Sequence, residues 1–136
     1  MGEIARRTLS SRQPGSVAEA RRWVEAICRG WAPGSQPAAL LLVTSELVTN
    51  AITHGEGVVV IDLAYEKGRV RIEVTDQGDA PVIRTSTDDP DLTHGRGLQI
   101  VDALSRRWGT FRLLGSGNTV WADVRIRRRV GFIWDT

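Results

Sequence analysis

The chain has 136 residues, 41% of them hydrophobic and 25% charged, with a formal net charge of +2. That is enough chain for one domain with a substantial core, and it is not the composition of a disordered segment. A net charge this small excludes binding to nucleic acid by bulk charge alone.

No apolar run approaches the roughly 20 residues that cross a bilayer, and basic MGEIARRTLS is followed by no apolar block. Neither a membrane span nor a secretory signal is expected, and the chain reads as cytoplasmic. The single cysteine, Cys28, falls among apolar positions of a predicted helix, where a small buried thiol is usual.

In chain order, residues 4–10 read as a short edge strand. Ser16-Val17-Ala18-Glu19 has the form of a capping box, followed by Val17, Ala20, Val24, Ile27 and Trp31 at helical spacing. Arg21, Arg22, Glu25 and Arg29 take the other side, and Gly30 is expected to stop the helix. Ser35 and Pro37 open a second helix that reaches about Thr53, closed by Gly55 and Gly57. Residues 58–65 and 69–76 alternate as two strands of a hairpin joined by Glu66-Lys67-Gly68.

Residues 78–97 show no period, an unusual length for a loop in a compact domain. A third helix is expected over 98–107 with Leu98, Val101 and Leu104 inward. Strands at about 109–114 and 118–127 flank Gly115-Ser116-Gly117-Asn118. The tail at 130–134 is apolar, suited to a last strand or to a homodimer face. Helices and hairpins without strict alternation predict one α+β domain over 1–136, a two-layer sandwich of a mainly antiparallel sheet with helices on one face.

Three constellations could carry chemistry. In SELVTNAITHG, Glu46, Asn50 and His54 stand four residues apart on one arc of the second helix. Leu40, Leu41, Leu47, Val48, Ala51 and Ile52 cover the opposite side, with Leu42 and Val43 flanking the arc. Residues 36–52 hold no lysine, arginine or second acid, so the arc lacks the mixed charges of a solvent stripe. It is either a satisfied polar pair on a helix dipping into the core or one wall of a magnesium–phosphate pocket.

In RVRIEVTD, Asp76 inherits the inward parity of Val70, Ile72 and Val74. A carboxylate aimed at the core needs donors, supplied by the turn in DQGDAP or by the amino group of a ligand approaching past Gly78. Third, His94-Gly95-Arg96-Gly97-Leu98 places glycines just before the third predicted helix, where free N–H groups attract phosphate. The segment is neither a P-loop nor a dinucleotide fingerprint.

The ordered set SELVTNAITHG, VTDQGDAP and THGRGLQIVDALSRRWG resembles the N, G1 and G2 boxes of the GHKL ATP-binding superfamily. Within it, GRGLQIVDALSRRWG followed by NTVWADV is similar to the bacterial anti-sigma-factor serine kinases. The resemblance implies a Bergerat-type sandwich binding ATP and Mg, with a lid at about 82–97. It implies Asn50 as metal ligand, Asp76 as acceptor of the adenine amino group, and Gly78 on the adenine side. Gly95, Arg96, Gly97 and Leu98 take the place of phosphate binders, Glu46 that of the general base, and Thr119 that of a threonine near the adenine. The implied partners are a sigma factor and an antagonist protein bearing the target serine. The alternative is an ATP-dependent protein-binding switch without transfer. His54 and His94 read as structural neighbours. Arg125, Arg127, Arg128 and Arg129 read as a solvated strand edge rather than a nucleic-acid site.

Overall fold

The computed structural model describes residues 2–78, 92–113 and 117–128, giving the backbone alone for 92–96, 113, 127 and 128. The expected tail at 130–134, most of the expected lid, and Gly115-Ser116 lie outside these residues.

Among the described residues seven strands and three helices follow in the order β1 (Glu3–Thr8), α1 (Gly15–Trp31), β2 (Ser35–Gln36), α2 (Ala38–His54), β3 (Val60–Glu66), β4 (Arg69–Asp76), α3 (Leu92–Leu104), β5 (Arg107–Leu113), β6 (Gly117–Arg125) and β7 (Arg127–Arg128). Five strands form one sheet in the order β1-β3-β4-β6-β5, and every pair in it is antiparallel. A helix layer led by α2 packs on one face. This is the α+β sandwich expected from the pattern. The short pair β2-β7, unforeseen from the sequence, ties Ser35 and Gln36 to Arg128 and Arg127.

Alternation builds the sheet. In β4 the even-numbered residues Val70, Ile72, Val74 and Asp76 are all buried, while their odd-numbered neighbours are half-buried on the other face. From β3, Ile61 and Leu63 join them, and from β6, Val120, Ala122 and Val124. The β3–β4 hairpin is tighter than expected: Glu66 pairs with Arg69, leaving Lys67 (φ 53) and Gly68 (φ 77) as the two turn residues. Both left-handed, they make the turn type whose twist matches the flanking strands.

Helix α2 is buried on more than one side, by Leu40, Val43, Thr44, Leu47, Val48 and Ala51. Each buried Leu, Ile or Val contributes about 1.5–3 kcal/mol. Thr44 and Ser45 satisfy their hydroxyls by donating to the carbonyls of Leu40 (2.8 Å) and Leu41 (3.1 Å). Val43 is fully buried rather than flanking the polar arc. Leu42, 46% exposed, extends that arc by one turn.

Helix α1 departs from expectation at both ends. It begins at Gly15, and no side chain caps it. Ser16 is buried and donates instead to the carbonyl of Ser11 (2.7 Å). Glu19 turns to β1, accepting from Ser10 (2.8 Å) and Arg7 (2.9 Å). The Ser10 hydrogen bond, helped by Arg7 against some desolvation, holds its carboxyl below the usual range. Competing partners on β1 (Arg7) and just after it (Ser10) thus replace the capping box. Gly30 lies inside the helix, which runs on to Trp31, stacked on Tyr65 at 5.9 Å. The buried stripe is Ser16, Ala20, Val24 and Cys28, with Val17, Ile27 and Trp31 packed beside it.

Helix α3 starts at Leu92 and ends at Leu104, six residues earlier and three earlier than its expected limits. Arg107 belongs to β5, and Trp108 donates to Asp102 (2.8 Å) across the join. Among the described residues no helix is long and apolar enough to cross a membrane.

Candidate functional site

The polar arc of α2 faces a cleft. Glu46, Thr49, Asn50, Thr53 and His54 line it from α2, and Gly97 and Leu98 from α3, around a volume of about 240 Å³. The four-residue spacing thus stacks Glu46, Asn50 and His54 along one wall. The three residues are half-buried, not sunk in the core. Glu46 leans over α3: a Cβ built on Gly97 would stand 2.8 Å from Glu46 Oε2. Glycine at 97 is therefore what lets the carboxylate lie across α3 at this point.

The glycines 95 and 97 do not precede the helix, as the sequence suggested, but lie within it. The N–H groups that lack partners within a helix end with its third helical residue, here residue 94, so the Gly97 amide is past them. Gly95 and Arg96 belong to α3 by backbone, and the position of the Arg96 side chain falls outside the described residues. Leu98 is buried beneath the cleft.

Asp76 closes β4 at the end of α2. It is 8% exposed, as its parity required. Its Oδ1 accepts from the amide of Gly78 (2.7 Å) and, more weakly, from that of Glu56 (3.4 Å). The carboxylate therefore does cap the following turn, one of the two readings open from sequence. Among the described residues its donors reach Oδ1 alone. Oδ2 lies beside the α-carbon of Gly55, where a Cβ would stand only 2.5 Å away. One oxygen is tied to the protein, and the other keeps acceptor capacity.

The surroundings of Asp76 come from four segments. Gln77 donates its amide to the carbonyl of Glu56 (2.8 Å) and accepts the amide of Val58 on its side chain (2.9 Å). Asn118, opposite Asp76 in the β4–β6 register, donates Nδ2 to the carbonyl of Gly78 (3.1 Å). Thr119, next along β6, faces away from the helix layer, where its hydroxyl meets that of Thr75 at 2.7 Å. Glu46, Asn50, Gly97 and Leu98 are thus brought into one cleft, and Asp76 and Gly78 into a corner at the end of the same helix. Thr119 stands on the sheet's other face, and Asn118 is the β6 residue that reaches the corner.

From sequence Gly55 and Gly57 read only as helix stops, and Gln77 and Asn118 only as turn residues. The VTDQGDAP motif carried the signal for Gln77, because a residue adjoining an inward Asp at a strand end must settle the neighbouring turn. Nothing in the sequence pointed to Asn118.

Oxygen-rich side chains on one wall, without a cluster of thiols and imidazoles, suit a hard divalent cation that keeps waters and shares phosphate ligands. Among the described residues no group of three or more His, Cys, Asp or Glu could hold a metal by itself. None of the curated proteins matches the chain closely enough to be named as a relative. Residues 10–124 match the family of histidine kinase-like ATPase domains, and with most of its length so covered the chain belongs to that family.

Proposed function

We propose that the chain is an ATP-dependent serine/threonine kinase of the anti-sigma-factor type, phosphorylating a protein antagonist and sequestering a sigma factor in the cytoplasm. The observation that carries the nucleotide part of this reading is the shared helix. Its arc puts Glu46 and Asn50 on a polar cleft, and its end meets a buried carboxylate with one oxygen to spare. The partner proteins are proposed from the resemblance of the three sequence boxes.

In this reading Asp76 accepts the adenine amino group on Oδ2 while Gly78 keeps the adjoining backbone open to the base. Asn50 would hold Mg through its side-chain oxygen. Gly95, Arg96, Gly97 and Leu98 border the phosphates from α3, and Thr119 braces the strand end through Thr75. Bound Mg-ATP supplies the phosphoryl group and offsets its charge. Glu46, on the cleft wall, is placed to take the proton of an incoming serine hydroxyl.

The test is single-turnover transfer of label from ATP to a serine of a protein partner captured with the chain in the presence of ATP. Transfer that needs Mg supports the kinase. Nucleotide-dependent capture without transfer replaces it with a binding switch that works by occupancy alone.

A further inference from the structure

Arg12 lies between β1 and α1, far in sequence from the cleft. Its guanidinium nevertheless reaches the end of α2. Nη2 donates to the carbonyls of Ile52 (2.5 Å) and Gly55 (2.7 Å), and Nη1 to that of Gly57 (3.2 Å). The Ile52 carbonyl is one of the four at a helix end that have no partner within the helix, and a cation there also meets the negative end of the helix dipole. The Gly55 and Gly57 carbonyls belong to the loop that follows.

This loop walls the Asp76 corner. Gly55 presses its α-carbon against Oδ2, Glu56 gives its amide to Oδ1, and Gln77 holds Glu56 and Val58 from the strand side. Arg12 is the counterpart on the helix side. Held between a three-bond guanidinium fork and the end of β4, the segment from Gly55 to Val58 is fixed from two directions. We infer that Arg12 is a positioning residue that fixes the 55–58 loop and thereby sets the shape of the corner in which Asp76 recognises a base. The recognition half of this inference rests on the nucleotide reading above; the clamp does not.

A lysine at 12 would keep the charge at the helix end but not the planar fork that spans three carbonyls. Arg12→Lys is thus the informative variant, and Arg12→Ala the severe one. Losing a hydrogen bond from a charged group lowers the ratio of ordered to open loop by about tenfold or more, and apparent affinity falls as the open form becomes populated.

Two measurements on the whole chain test this. Amide hydrogen exchange without nucleotide should quicken at Glu56 and Val58 in Arg12→Lys while α1 and β3 keep wild-type protection. Titrations with Mg-ATP and Mg-GTP should show ATP bound about tenfold more weakly, with GTP little changed, so that the ratio of the two affinities falls. A general loss of stability would not move that ratio. Wild-type exchange at Glu56 and Val58 in Arg12→Lys overturns the clamp, and an unchanged ratio despite faster exchange overturns its role in base recognition. Should the wild type itself show no preference for ATP over GTP, the nucleotide reading falls, while faster exchange in Arg12→Lys still upholds the clamp.

Discussion

The carboxylate of Asp76 and the α-carbon of Gly55 lie so close that a Cβ at 55 would stand only 2.5 Å from Oδ2. The strand end and the helix end are therefore fitted to one another by a missing methyl group. Gly55→Ala must push against the Asp76 carboxylate and the Ala51 carbonyl together, one of which is rigid backbone. A destabilisation of about 1–3 kcal/mol is expected, with weaker ATP binding in the folded fraction. Gly30, inside α1 with nothing within 4 Å of an added Cβ, should respond in the opposite sense. Gly30→Ala is expected to stabilise by about 0.5–1 kcal/mol. Denaturant midpoints of the two variants, moving apart from wild type, check both.

Asp76→Asn separates the structural from the binding role of one side chain. The amide's oxygen can still accept from Gly78 and Glu56, while its NH₂ replaces the spare oxygen by a donor. Loss of a hydrogen bond to a charged acceptor costs about 1.5–3 kcal/mol, so ATP affinity should fall roughly tenfold to a hundredfold with little change in melting. Calorimetric titration beside a melting curve measures both. Unchanged affinity in a normally melting variant would remove the base-recognition role.

Glu46 and Asn50, one turn apart on the same cleft wall, should fail differently. Asn50→Ala is expected to lose the Mg-dependent part of nucleotide affinity. Glu46→Gln should bind Mg-ATP as wild type does yet transfer phosphate about 10² to 10⁴ times more slowly, because the proton moves only in the transition state. Transfer at the wild-type rate by Glu46→Gln would show that the carboxylate serves the cleft in some other way.

Burial pushes the Cys28 thiol up to about 11, with the Glu25 carboxylate adding to the effect. In the unfolded chain the thiol ionises first, so above its ordinary value the unfolded state binds fewer protons than the native one. The contribution is full below about pH 9 and is lost as the pH rises through about 11. Over that window the wild type should lose up to about 2 kcal/mol more stability than Cys28→Ala, as read by denaturant unfolding at a series of pH values. At pH 8 the native thiol should react with a disulfide reagent only as fast as the protein opens.

The strand alternation was legible because one face of the sheet is buried: in RVRIEVTD a period of two leaves Asp76 no choice of side. The four-residue spacing of Glu46, Asn50 and His54 was legible for a similar reason, since helical geometry is local. What could not be read were the outcomes of competition between distant groups. Glu19 could cap its own helix or pair with Arg7 and Ser10, and only the docking of β1 beside α1 decides. The start of α3 was misplaced because Gly95 and Gly97 weaken helix propensity, while the glycine at 97 admits the Glu46 carboxylate from another helix. Arg12 gave no sign at all, because its three acceptors are backbone carbonyls some forty residues away.

The two-residue turn at Lys67 and Gly68 has a consequence at the other end of its hairpin. From Arg69 to Asp76 the strand extends about 24 Å, and nothing along it but the pleat carries the count. An inserted residue after the turn, if the register with β3 slipped to absorb it, would bring Thr75 into the place of Asp76 and rotate the carboxylate to the open face of the sheet. The turn is in this sense the clock of the strand: it fixes the phase in which the last residue arrives, and with it whether the corner holds an acid or a hydroxyl.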